Sequence, residues 1–112
     1  MSVLQVMAMY RGAAHSVTLS PDPADGTAPS PSKASVSITA NVTGGVGPFT
    51  YLHSIVSGAG ITMTNSTSAT CTVETNTGAL QTRLFTTQCV VTDTGAGSTT
   101  ASDTVSGTLE VT

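Results

Sequence analysis

Val36-Ser37-Ile38-Thr39-Ala40-Asn41-Val42 is the stretch on which the fold turns. Apolar side chains fall on every even position and polar ones on every odd position. That period of two is the pattern of a strand with one face buried and the other wet. On a helix the same four apolar residues would be spread around the axis, and the β-branched Val, Ile and Thr favour the pleated form.

Working outward, the chain repeats this grammar. Upstream, residues 15–20 read as a short strand that stops at Pro21-Asp22-Pro23-Ala24-Asp25-Gly26. The prolines there remove backbone donors and Asp-Gly permits a tight reversal. Residues 27–32 read as an extended connector. Downstream, Gly44-Gly45-Val46-Gly47-Pro48 is a turn, and residues 49–56 follow as a strand with Phe49, Tyr51, His53 and Ile55 on one face. Ser57-Gly58-Ala59-Gly60 breaks it. Residues 61–64 carry no decisive period. Residues 68–75 alternate again, with Ala69, Cys71 and Val73 inward, and residues 83–93 place Phe85, Thr87, Cys89 and Val91 inward. Thr94-Gly95-Ala96-Gly97 has the chemistry of a hairpin leading to a last strand over residues 98–111.

Six or seven short strands at regular spacing predict an all-β sandwich or barrel over residues 15–112. Composition agrees. Of 112 residues, roughly a third are Ser or Thr, 38% are hydrophobic and 8% charged. Only Tyr10, Phe49, Tyr51 and Phe85 are aromatic and Trp is absent, so the core must be built from aliphatic side chains. A thin core of this kind points to a dense backbone ladder or to partner surfaces that bury what one chain leaves open.

Residues 1–14 stand apart as an apolar, Met-rich arm in which Val3, Leu4, Val6, Met7 and Met9 break strict alternation. Together with Tyr10 they form the candidate partner-binding segment, because flexible Met side chains adapt to a groove or a neighbour's sheet edge. The competing reading is an extra strand packed on its own domain.

A net charge of −3 from six acidic and three basic residues leaves no basic patch, so neither nucleic acid nor an anionic membrane is expected as a partner. No stretch reaches the length of a membrane span. The opening residues do not read as a secretory signal, so the chain is expected to fold in a reducing cytosol. Cys71 and Cys89 are then expected as buried thiols, with a disulfide across the core as the alternative.

Candidate sites for chemistry are few. His15 and His53 lie far apart without acidic or Cys neighbours at metal spacing, and His53 reads as a buried structural residue. Neither cysteine has a basic neighbour that would activate it. Asp22 and Asp25 supply too few oxygens for calcium and read as a turn. Asn41-Val42-Thr43 and Asn65-Ser66-Thr67 match the glycosylation pattern, as a Thr-rich chain does by chance. Neither a nucleophile elbow, a paired-carboxylate arrangement nor a phosphate-cradling loop is present. The expectation is therefore a binding or structural module with no catalytic residues, no metal and no cofactor.

The run Gly44-Gly45-Val46-Gly47-Pro48-Phe49-Thr50-Tyr51-Leu52-His53-Ser54, with Cys89-Val90-Val91-Thr92-Asp93-Thr94-Gly95-Ala96-Gly97-Ser98, resembles the polycystic kidney disease repeat and related bacterial and phage immunoglobulin-like domains. The resemblance covers roughly residues 34–112 and implies an all-β, immunoglobulin-like two-sheet antiparallel sandwich of about seven strands behind the N-terminal arm. Many relatives carry Trp on the third strand where this chain has His53. Stand-alone chains of this kind look like phage virion components, which implies a capsid decoration (cement) protein made in the host cytoplasm. Its partner would then be the major capsid protein or another virion protein, with self-association as a further expectation. A tail or fibre accessory domain, or a carbohydrate- or cell-binding adhesion module, is the alternative.

Overall fold

The computed structural model describes residues 14–112. Eight strands and one 3-10 turn account for its regular structure. They are β1 (Ser16–Ser20), β2 (Gly26–Ala28), β3 (Ser35–Thr43), β4 (Phe49–Ser57), β5 (Ile61–Thr64), β6 (Thr70–Thr75), β7 (Gln81–Asp93) and β8 (Thr99–Val111), with the turn η1 at Thr94–Ala96. Two four-stranded sheets form, in the orders β1-β3-β6-β5 and β2-β8-β7-β4. This is the strand distribution of an immunoglobulin-type sandwich, in which the two sheets exchange strands by Greek-key connections. None of the described helical segments is long and apolar enough to cross a membrane.

The deciding stretch behaves as its period requires. In β3, Ile38 and Ala40 are buried and Val36 and Val42 half-buried, while Ser37 and Asn41 face water. Its partners are β1 on one side, with Val17 opposite Val42, and β6 on the other, with Ile38 opposite Cys71. From the second sheet, Phe85, Cys89 and Val91 of β7 and Val105, Leu109 and Val111 of β8 close the core. Phe85 is the only fully buried Phe or Tyr among the described residues, and truncating it to Ala would cost about 3–5 kcal/mol.

The structure alters two local expectations and resolves a third segment that carried no decisive period. Residues 27–32 are not wholly connector: β2 pairs in parallel with β8, Gly26 opposite Leu109, so the sandwich is not antiparallel throughout. The pairing runs on past the strand, with Thr112 N–H donating to Ala28 O and Ser30 N–H to Thr112 O. Residues 61–64 are a strand, β5, at the edge of the first sheet. β6 begins at Thr70, so Ala69 lies just outside it and is only half-buried. The expected β7–β8 hairpin forms, closed through η1 with Gly97 at φ 72° reversing the chain. The limits of β2, β5 and β6 depend on contacts between distant segments, which a local period does not carry.

Gly107 shows how closely the layers meet. Its absent side chain makes room for the backbone carbonyl of Ala24, and Ala24 N–H donates to Ser106 O at 3.0 Å. The turn at residues 21–26 is thereby laid against β8. Asp25 completes the junction by accepting the Thr108 N–H at 2.9 Å.

Candidate functional site

His53, at the centre of β4, is buried opposite Cys89 of β7. Its Nε2 lies 3.0 Å from the Ser68 carbonyl, which can only accept, so Nε2 is the donor in this bond. The same nitrogen is 3.7 Å from Cys89 Sγ. Nδ1 has no partner. His53 N–H also donates to Ser66 O at 2.7 Å, so the β5–β6 loop covers the free edge of β4 at its midpoint.

Cys71 and Cys89 are fully buried free thiols on the inner faces of β6 and β7. Burial, with the neighbouring Cys89 adding to it, pushes the Cys71 thiol up to about 11. Burial likewise raises Cys89, against the Leu52 N–H that favours its thiolate. Nucleophilic or metal-binding cysteines need the reverse shift.

An inward acid closes one end of the sandwich. Asp93 ends β7, and its carboxylate accepts Val46 N–H at 2.8 Å and Gly47 N–H at 2.9 Å. The Val46 donor, joined by those of Gly47 and Gly95 and by His15 close by, holds the carboxyl below its usual range, against the desolvation of its covered position. Asp93 is out of reach of solvent yet lies under only the β3–β4 loop and η1, so hydrogen bonds dominate its environment. Gly45, at φ 83°, is required there, since a Cβ would stand 2.6 Å from Asp93 Oδ2. His15 caps the same end, Nε2 donating to Val91 O at 2.8 Å and its ring 5.6 Å from that of Phe49.

Asp103 accepts the Leu19 N–H at 2.9 Å and so ties β8 to β1 across the two sheets. Asp22 stays exposed in its turn. Among the described residues, no three His, Cys, Asp or Glu side chains converge as a metal site would need.

What remains open is a surface. Among the described residues, Val46, Leu52, Val56, Leu80 and Leu84 are the large apolar ones left exposed, at 54, 56, 57, 72 and 74%. Leu52 and Val56 are on the outer face of β4 and Leu84 on the outer face of β7, with half-buried Val90 directly opposite Leu52. Thr50, Ser54, Thr86, Gln88 and Thr92 fill in around them, so the outer face of these two strands carries no charge. Natural edge strands are usually protected by charge or Pro, and β4 has neither within its span.

The candidate arm residues Val3, Leu4, Val6, Met7, Met9 and Tyr10 lie outside the described residues. Of the other residues singled out, His53, Cys71 and Cys89 come together in the core, whereas His15 sits at the sandwich end. Sequence reasoning did not single out Asp93 or the stripe Leu52, Val56 and Leu84. The signal for the stripe was present as apolar residues on the face where each strand's alternation calls for polar ones. Asp93 gave a weaker one, as an acid on the inward parity of its strand.

By its sheet orders and core the chain is an immunoglobulin-like β-sandwich. No family model matches it, and no curated protein does either. Among solved structures, it is similar to a nucleoside hydrolase-related hypothetical protein from Saccharophagus degradans that is associated with carbohydrate metabolism, with a TM-score of 0.56 and 15% identity. The match covers 88% of this chain but only 25% of that one, and at this identity it speaks for the fold alone.

Proposed function

We propose that the chain is a non-catalytic docking module, and specifically a phage virion structural protein that decorates an assembled capsid shell. The observation that carries the docking reading is the uncharged apolar stripe on β4 and β7 of a sandwich whose inward Asp93 and His53 hydrogen-bond to its own backbone. Exposed apolar residues that cluster on one face mark interaction surfaces. The virion assignment rests on the resemblance to phage immunoglobulin-like domains and on the apolar segment at residues 1–14. The adhesion alternative finds less support, because none of the described aromatic side chains is exposed to stack on a sugar ring.

Co-sedimentation with assembled and unassembled shells of the encoding phage tests this reading. The expected result is that the full chain pellets with assembled shells, and that a chain without residues 1–14 or carrying Leu52→Ser with Leu84→Ser binds at least about tenfold more weakly. Absence of binding to any shell or tail would overturn the virion assignment, and a glycan array would then test adhesion.

A further inference from the structure

We infer that, away from any shell, the outer face of β4 and β7 is covered by the same face of a second copy of the chain, in a symmetric dimer whose two-fold axis crosses β7 at Thr87. The inference rests on reading that face as a docking surface, and it names the occupant the face takes when no other partner is present.

The placement of the exposed apolar residues argues for a copy. β7 runs from Gln81 to Asp93, so Thr87 is its midpoint. Val90, with Leu52 opposite it on β4, stands three residues to one side of that midpoint, and Leu84 stands three residues to the other. Val46 lies at the far end of the first side, where its N–H donates to Asp93, and Leu80 lies just beyond Gln81 at the far end of the second. An axis across the strands at Thr87 exchanges these levels. It lays Leu52 and Val90 of one copy over Leu84 of the other, and Val46 over Leu80. Val56, in the bulge where β4 passes Thr87, falls on the axis and meets its own counterpart. Between the apolar contacts, Gln88 comes over Thr86, an amide against a hydroxyl. All five exposed large apolar residues are thereby matched by one operation, which is what a self-complementary two-fold interface requires.

Charge and area agree. The outward side chains of β4 and β7 carry no charge, so two copies of net charge −3 meet there without stripping an ion of water. Glu110, outward on β8 opposite Thr82, is carried over Thr100 and away from its own counterpart. The outer face of the other sheet holds Glu74 and none of the exposed large apolar residues. At ordinary rise and strand spacing the face of β8, β7 and β4 is about 43 Å long and about 14 Å wide, so covering it on two copies buries about 1,200 Å², the lower bound of a specific, stable interface. The dimer is therefore expected at micromolar concentration and in exchange with monomer, which lets a shell displace the second copy. Pairing is of face on face and not along the edge of β4, because the Ser66 carbonyl already takes the His53 N–H.

Sedimentation velocity of the full chain over about a hundredfold range of concentration reads the monomer–dimer equilibrium. The wild type should pass from monomer to dimer as concentration rises, and added salt should leave the Kd unchanged or lower it, since only the net charges are screened. Leu52→Ser with Leu84→Ser, and separately Gln88→Arg, should each raise the Kd about tenfold or more. Ser37→Asp, on the outer face of β3, should leave it unchanged. All these side chains lie on outer faces, so the fold is kept, and a thermal melt of each variant checks it. A wild type that stays monomeric throughout would overturn the inference, as would dimers that survive both changes to the face or are weakened equally by Ser37→Asp. Shell co-sedimentation reads out separately. A monomer that pellets with shells refutes the dimer alone, and a dimer that binds no shell or tail refutes the virion assignment alone.

Discussion

Two buried threonines give the sharpest test of how the core is held. Thr87 on β7 and Thr75 at the end of β6 are both fully inaccessible to solvent. They differ in one respect. Thr75 Oγ1 accepts Ala34 N–H at 3.1 Å and donates to Thr77 O at 2.9 Å, whereas Thr87 Oγ1 has no partner. Valine matches threonine in shape and lacks the hydroxyl. At position 87 the substitution removes a desolvated polar group and leaves no cavity, so Thr87→Val should stabilise the domain by about 1–2 kcal/mol. At position 75 it removes two hydrogen bonds and strands the N–H of fully buried Ala34, so Thr75→Val should destabilise by about 2–3 kcal/mol. Urea unfolding would show midpoints moving in opposite directions at constant m-value. Melting temperatures should move by about 4–8 °C per kcal/mol at this length. Should Thr87→Val lose stability, the reasoning fails, because the hydroxyl would then have to be satisfied in the native core.

Two further outcomes concern titration. The Cys71 pKa is raised from 9.0 to about 11, so an unfolded chain releases this proton at lower pH than the folded one. The associated stability is complete below pH 9 and declines as pH rises toward 11, and urea midpoints measured from pH 8 to 10.5 should fall, less steeply in Cys71→Ala. Over the same range, thiol reagents should modify Cys71 and Cys89 only as fast as the domain opens. The shift at Asp93 has the opposite sign. Its contribution is present above the ordinary carboxylate range and is lost as pH falls through the lower folded value, and Asp93→Asn should remove that acid sensitivity. Hydrogen exchange at the Val46 and Gly47 amides should be faster in Asp93→Asn than in the wild type, since the carboxylate accepts both N–H groups.

How far the molecule was legible in advance depends on the range of the interaction concerned. Residues 36–42, 49–56 and 83–93 announce themselves as strands, because burial on one face imprints a period of two on neighbouring residues. Cys71, Cys89, Thr87 and His53 were correctly placed inward on that ground alone. β2 was missed since three residues ahead of Pro29 carry no period, and only pairing with β8 makes them a strand. Asp93 was passed over because its role exists only where the β3–β4 loop folds back to offer two N–H groups.

By itself, then, the sequence determined the class of fold, the inward faces of its longer strands, and the scarcity of groups able to do chemistry. The tertiary structure alone decided the rest: that β2 runs parallel to β8, that His53 meets Cys89, and that Leu52, Val56 and Leu84 share one uncharged outer face. The physical reason is that alternation is a local property of the chain. Register, sheet order and the neighbours of an outward side chain are set by pairing between segments far apart in sequence.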